Sequence, residues 1–208
     1  MCPGFGSAYL ARARRPGSIP KVALRSVLAD IIFPSVQIEL QSQTERNLAR
    51  WQELTADPEL ARLPHRVETD RFGRVIMSPP PLFEHTRRAS QIIHRLAELL
   101  PSGLALSETP VSTADRVKVT DAAWISAEYV EELSGDPPPA LVRAPEICVE
   151  VVLPSNSPEE MAEKRELYLE AGAAEVWICE LDGQMRFYCR GELSESSVLC
   201  SGFPKQIG

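Results

Sequence analysis

No apolar run in this chain approaches the roughly 18 residues that a membrane-crossing helix needs, so no membrane span is expected. Histidine is scarce. His65, His85 and His94 are the three present, too scattered for a zinc site. Cys2, Cys148, Cys179, Cys189 and Cys200 show neither a CxxC pair nor finger spacing. An odd cysteine count without a secretion signal argues against a disulfide framework and for a reducing, cytoplasmic setting. No Ser-His-Asp or Cys-His arrangement stands out, which leaves metal-independent nucleophilic hydrolysis without support. Aromatic residues make up 6% of the chain and do not interleave with basic residues as a single-strand stacking platform requires. Internal repeats and long low-complexity tracts are absent as well.

Positive charge is also in deficit. A net charge of -7 is the wrong sign for a tight nonspecific nucleic-acid binder. The distribution is uneven, however. Arg12, Arg14, Arg15, Lys21 and Arg25 all precede the first acidic residue, Asp30. Residues 105–200 carry nineteen acidic and seven basic side chains, whereas residues 44–104 carry eight and nine. Pro16 and Pro20 break any long helix in the basic segment. The expected organisation is therefore a basic, irregular N-terminal extension over 1–40 and one domain over 41–208, long enough for a sizeable core.

From Thr44 the apolar pattern becomes regular. Leu48, Trp51 and Leu54 share one helical face. Residues 66–70 and 74–78 read as a hairpin turning at Phe72-Gly73. Residues 84–100 form an amphipathic helix with Pro101 as its stop. Strands are expected at 104–111, 118–125 and 146–153. Residues 128–139 suit a loop or a short surface helix. Ser157-Pro158-Glu159-Glu160 has the form of a capping box with proline at the first helical position, and Gly172 is the stop. A hairpin around Asp182-Gly183 follows, and residues 198–200 suggest a last short strand.

Against this pattern, three ionisable residues stand where apolar ones are expected. Val119, Asp121, Ala123 and Ile125 share one face of their strand, and that face is apolar except for Asp121. Glu150 interrupts the nearly unbroken apolar run Ile147-Cys148-Val149-Glu150-Val151-Val152-Leu153, the mark of a strand covered on both faces. Lys164 lies beside the stripe Met161, Leu167 and Tyr168 on the following helix. Burying ions costs several kcal/mol each unless they pair or bind a metal. Two carboxylates and a lysine around one hard cation are the equipment of a metal-dependent phosphodiesterase.

The same residues carry a resemblance. Glu150-Val151-Val152-Leu153-Pro154-Ser155, then Lys164, then Tyr168 through Ile178 with Gly172 and Glu175-Val176-Trp177-Ile178, resembles the restriction-endonuclease-like family abundant in cyanobacteria. That family belongs to the PD-(D/E)xK nuclease superfamily. Upstream, Phe72-Gly73-Arg74-Val75-Ile76-Met77-Ser78-Pro79-Pro80, followed by His85, is similar to the family's opening hairpin and helix. The likeness covers residues 44–190 and is most specific over 146–178. It implies an α/β fold, a restriction-endonuclease-like mixed central sheet flanked by helices. It also implies roles: Asp121 as the superfamily aspartate, Glu150 as the acidic member of the (D/E)xK element, Lys164 as a helical lysine replacing the strand one, and Glu68 as a supporting carboxylate. Three positions depart from the pattern. Thr120 replaces the proline before the aspartate, Val152 stands where the signature has lysine, and Leu153 replaces the first turn serine.

The resulting expectation is a Mg2+-dependent DNA endonuclease, with Mn2+ able to substitute. Asp121 and Glu150 would hold the metal, and Lys164 would assist the in-line attack of water. Arg87 and Arg88 on the 84–100 helix, with the N-terminal arm, are the expected phosphate contacts. Double-strand cutting by a single-site nuclease favours a twofold homodimer. The alternative is a noncatalytic nuclease-fold DNA-binding or dimeric interaction protein, which the departures at Thr120 and Leu153 favour.

Overall fold

The computed structural model describes residues 42–63, 65–78 and 80–208. The basic extension expected over 1–40, with its arginines, lies outside the described residues. Ser42 opens the domain with a reciprocal cap: its hydroxyl accepts from Glu45 N and the Glu45 carboxylate accepts from Ser42 N. Helix α1 (Gln43–Ala56) follows and buries Trp51 and Leu54. Strands β1 (Arg66–Thr69) and β2 (Val75–Ser78) pair antiparallel as a separate hairpin. Gly73 at its turn takes φ +73, a conformation that costs glycine little. Helix α2 (Phe83–Leu99) buries Ile92 and Leu96.

The main sheet then forms. Its strands are β3 (Leu104–Ser112), β4 (Val117–Ile125), β5 (Ile147–Val151), β6 (Glu175–Cys179), β7 (Met185–Cys189) and β8 (Glu192–Ser194), hydrogen-bonded in that order. Helix α3 (Ala127–Glu132) separates β4 from β5, and α4 (Pro158–Glu170) forms the crossover from β5 to β6. That crossover makes β5 and β6 parallel, while every other pair is antiparallel. The fold is α/β, a mixed six-stranded sheet flanked by helices.

Both faces of the sheet are covered, which explains why every residue of β4, β5 and β6 is buried. One face carries Ala122, Trp124, Ile147, Val149 and Trp177 against Ile92 and Leu96 of α2 and the C-terminal Phe203 and Ile207. The other face carries Cys148, Val176 and Ile178 against Met161 and Tyr168 of α4. Further along β4, Val117 and Val119 pack with Trp51 and Leu54 of α1 and Val67 and Val75 of the hairpin.

Two expectations are corrected. Residues 198–200 form a bend and turn instead of a strand. Val198 N and Leu199 N donate to the buried Glu175 carboxylate at 2.8 and 2.7 Å, so their amides are taken before a ladder can form. The last strand is β8 instead, joined to β7 by a tight turn with Arg190 at φ +53 and Gly191 at φ +87. At Ser157 only half of the expected capping box forms. Its hydroxyl accepts from Glu160 N at 3.1 Å, but the Glu160 carboxylate accepts from Asn156 Nδ2 instead of the cap amide.

One irregularity positions everything that follows. The β3–β4 rungs pass from Ser107↔Ala122 to Thr109↔Thr120, skipping Glu108, which sits at φ +44. The β4–β5 rungs stop at Ala122↔Val149, one step before Asp121 would face Glu150. The ladder thus parts on both sides of Asp121.

Candidate metal-binding cleft

The parting of the sheet opens a cleft of about 280 Å3 lined by Arg66, Glu68, His85, Lys118, Asp121, Glu150 and Lys164, among others. Continuing the β4–β5 register places Asp121 and Glu150 opposite one another on the same face. Because β5 leaves the ladder there, Val151 N donates to the Asp121 side chain at 2.7 Å instead of to β4 backbone. Lys164, one turn and a half into α4, reaches down to Glu150 Oε2 at 3.0 Å. Tyr168, one helical turn on, donates its hydroxyl to Glu150 Oε1 at 2.7 Å. The structure therefore brings together Asp121, Glu150 and Lys164, as the pattern of charges in apolar runs implied.

Glu68 joins them from β1. Its carboxylate accepts from Lys118 Nζ at 2.9 Å and Val119 N at 3.2 Å, with Lys164 Nζ 3.8 Å away. His85, at the start of α2, stands with Nε2 3.2 Å from Asp121 Oδ2. Arg66 Nη1 donates to Asp121 Oδ1. Arg87 and Arg88 do not line the cleft. Arg87 pairs with Glu84 and donates to the Gly208 carbonyl, whereas Arg88 buries its Nε without a hydrogen-bond partner among the described residues.

The charges interlock. Burial pushes the Asp121 carboxyl up, but the His85 hydrogen bond and the Arg66 charge outweigh it and hold the pKa near about 2. Burial also raises Glu68, and Lys164, Lys118 and Arg66 more than reverse this, so its pKa is lowered. Glu150 is raised: full burial dominates, Lys164 opposes it, and the neighbouring Asp121 adds to it. Burial disfavours the Lys164 ammonium, but Glu150 and Glu68 together raise its pKa and keep it charged. Tyr168, buried against Glu150, is held neutral far above its ordinary range.

Sequence reasoning missed Arg66, Lys118 and Tyr168. Arg66 sits in a polar stretch and Lys118 alternates with the polar Arg116 and Thr120, so neither charge raises an alarm, and only the tertiary fold aims them at the carboxylates. Tyr168 was legible as core through its helical spacing, but its hydroxyl's task was not. The scatter of the three histidines along the chain gave no sign that His85 would stand beside Asp121.

Among the described residues, no three His, Cys, Asp or Glu side chains are arranged as a ready-made metal cage. The donor chemistry nevertheless fits Mg2+. Two facing carboxylates, with Glu68 behind them, offer the hard oxygen ligands this ion takes, and Mg2+ commonly keeps several waters beside one or two carboxylates. What those oxygens meet now are protein donors: Arg66, His85 and Val151 N on Asp121, Lys164 and Tyr168 on Glu150.

The sequence pattern of the family described as "Putative restriction endonuclease" matches residues 51–201. The chain belongs to that family, within the PD-(D/E)xK nuclease superfamily. Four chains of known structure match. One is described as a "putative nuclease" from Anabaena variabilis. It shares 20% sequence identity with a TM-score of 0.54, over 65% of this chain and 80% of that one. At that identity the likeness establishes a shared fold. No curated protein matches.

Proposed function

We propose that this protein hydrolyses DNA phosphodiester bonds with a divalent cation, Mg2+ or Mn2+, held by Asp121 and Glu150, and that it works in the cytoplasm. The observation that carries the reading is the meeting of Asp121, Glu150 and Lys164 in one cleft, with Lys164 bonded to Glu150. When bound, the cation would polarise a phosphoryl oxygen and lower the pKa of an attacking water. The chain's own residues do the rest. Lys164 remains an ammonium and is held within reach of the position where phosphoryl charge develops. Tyr168 and Lys164 together fix both Glu150 oxygens, so the carboxylate cannot rotate. Glu68 pairs with Lys118 and stands 3.8 Å from Lys164, which supports giving it an auxiliary part beside the metal ligands. Arg87 and Arg88 lie on α2 outside the cleft and can serve only more distal phosphates.

A second reading has its own observation. Both oxygens of Asp121 and of Glu150 already accept hydrogen bonds, and Arg66 sits on Asp121 where a metal would compete. This favours a noncatalytic nuclease-fold protein that binds DNA or a second copy of itself. A plasmid-cleavage time course with Mg2+ or Mn2+, beside calorimetric metal titration, separates the two. The nuclease reading expects nicking by wild type and its loss in Asp121→Asn and Lys164→Ala, with metal binding lost in Asp121→Asn but not in Lys164→Ala. Loss of one such electrostatic group typically costs about 10²–10³ in rate. Neither cleavage nor metal binding by wild type would establish the noncatalytic reading.

A further inference from the structure

Arg66 is the most poorly satisfied charged group in the cleft. It opens β1, and its guanidinium is mostly buried. Nη1 donates to Asp121, but Nε and Nη2 are buried without a hydrogen-bond partner among the described residues. Glu68 Oε1 stands 3.8 Å from Nη2, beyond hydrogen-bond reach. A buried donor left unpaired is costly, so Arg66 is held in place chiefly by the charge of Asp121. Nε and Nη2 form one edge of the planar guanidinium, the edge that pairs side-on with two oxygens of a carboxylate or phosphate. The side chain also has somewhere to go. Arg66 lines both the cleft and an adjoining apolar hollow beneath Trp51 and Val67.

We propose that Arg66 is the scissile-phosphate ligand of this site, held on Asp121 until a divalent cation takes that carboxylate and releases it. The inference rests on the metal-dependent reading above and deepens it. With a cation on Asp121, Arg66 would lose its hydrogen bond to that carboxylate and the largest of the charges that offset its burial, leaving only the weaker pull of Glu150 and Glu68. The guanidinium then turns its unused edge to the only new anion in the cleft, the phosphodiester. Metal and substrate are thereby coupled: each favours the position of Arg66 that admits the other. Without metal, Arg66 neutralises Asp121 and keeps the cleft closed to DNA phosphate.

The test compares wild type with Arg66→Gln by two titrations, Mn2+ alone, then a phosphorothioate-protected duplex at saturating Mn2+. Removing the competitor should tighten Mn2+ binding by about tenfold, within the usual range of a coupling between sites. Duplex affinity with Mn2+ present should fall by a similar factor. Equal or weaker Mn2+ binding by Arg66→Gln overturns the proposal, and so does an unchanged duplex affinity. If wild type binds Mn2+ and cleaves DNA in those cases, the metal-dependent reading survives alone. If neither protein binds Mn2+, both fall. Should Arg66→Gln fail to fold, Arg66→Lys asks the same question. A shorter point charge cannot hold Asp121 as firmly or offer a two-nitrogen edge, so it too should bind Mn2+ more tightly and duplex more weakly.

Discussion

At the residue scale, the cleft is a set of buried charges that answer for one another. Removing one member leaves its partner stranded, and this is where stability is most exposed. Lys164→Met should destabilise the fold by about 3–5 kcal/mol, the usual cost of breaking a buried ion pair, because Glu150 would remain buried beside Asp121. Adding Glu150→Gln to that variant should recover much of the loss, since the stranded charge is then gone. Thermal melts of both variants check this; a double variant no more stable than Lys164→Met would mean that the pair is not the source. The pH dependence has a definite sign. Burial already raises the Glu150 pKa, so in Lys164→Met the deficit should be full above that raised pKa and shrink as pH falls through it. Asp121 behaves oppositely. Its pKa falls from 3.8 unfolded to about 2 folded, so its contribution is complete above about pH 4 and lost as pH drops toward 2. That shift corresponds to roughly 2 kcal/mol, and acid denaturation of Asp121→Asn should lack this component. Asp121, Glu150 and Lys164 were legible in the sequence because each breaks an apolar pattern whose period fixes its side. Arg66, in a polar stretch, and Lys118, alternating with Arg116 and Thr120, were not, because neither breaks an apolar period.

Elements were largely readable wherever a period or a cap declared them. The amphipathic helix α2, the opening hairpin and the β5–α4–β6 crossover all follow from apolar spacing and end signals, with boundaries shifted by a residue or two. Sequence periodicity could not give the places where tertiary contacts override local preference. Residues 198–200 have strand-like composition, yet Glu175 takes their amides. Glu175 also accepts from Trp177 Nε1 at 2.7 Å, so three donors depend on one buried carboxylate. Glu175→Ala should cost about 3 kcal/mol or more through those unsatisfied amides and the lost volume. Hydrogen exchange should show residues 198–199 losing protection first; retained protection there would refute the assignment. Glu108 is a second override. Its left-handed φ of 44 costs a non-glycine residue roughly 1–2 kcal/mol. It is also the kink that parts β3 from β4 beside Asp121. Glu108→Gly should therefore raise the melting temperature while leaving the cleft open, and an unchanged or lower value would show that the strain is compensated locally.

For the whole molecule, the proposed function makes charge decide when DNA could approach. The net charge of -7 repels a polyanion at long range. Among the described residues the cleft itself is lined by six carboxylates, Glu68, Glu108, Asp121, Glu150, Glu160 and Glu163, against four cations, Arg66, Arg116, Lys118 and Lys164. That surplus of two negative charges matches the charge of one divalent cation. A metal at Asp121 and Glu150 would thus bring the lining to neutrality and remove the local barrier to a phosphodiester. The prediction is that duplex affinity is nearly all conditional on the cation. Fluorescence anisotropy of a labelled duplex, in EDTA and then with Ca2+ in place of Mg2+ to limit turnover, should show binding only in the second case. Asp121→Asn/Glu150→Gln removes two of the carboxylates and should bind duplex without any cation, though it would not cleave. Equal binding by wild type in EDTA and Ca2+ would place the DNA surface away from this cleft and return the carboxylates to a purely structural role. The stoichiometry of the Ca2+-loaded complex, read by sedimentation, bears on assembly. Two chains per duplex is the outcome expected of a single-cleft nuclease that cuts both strands as a twofold homodimer, and one chain per duplex would limit each encounter to a nick.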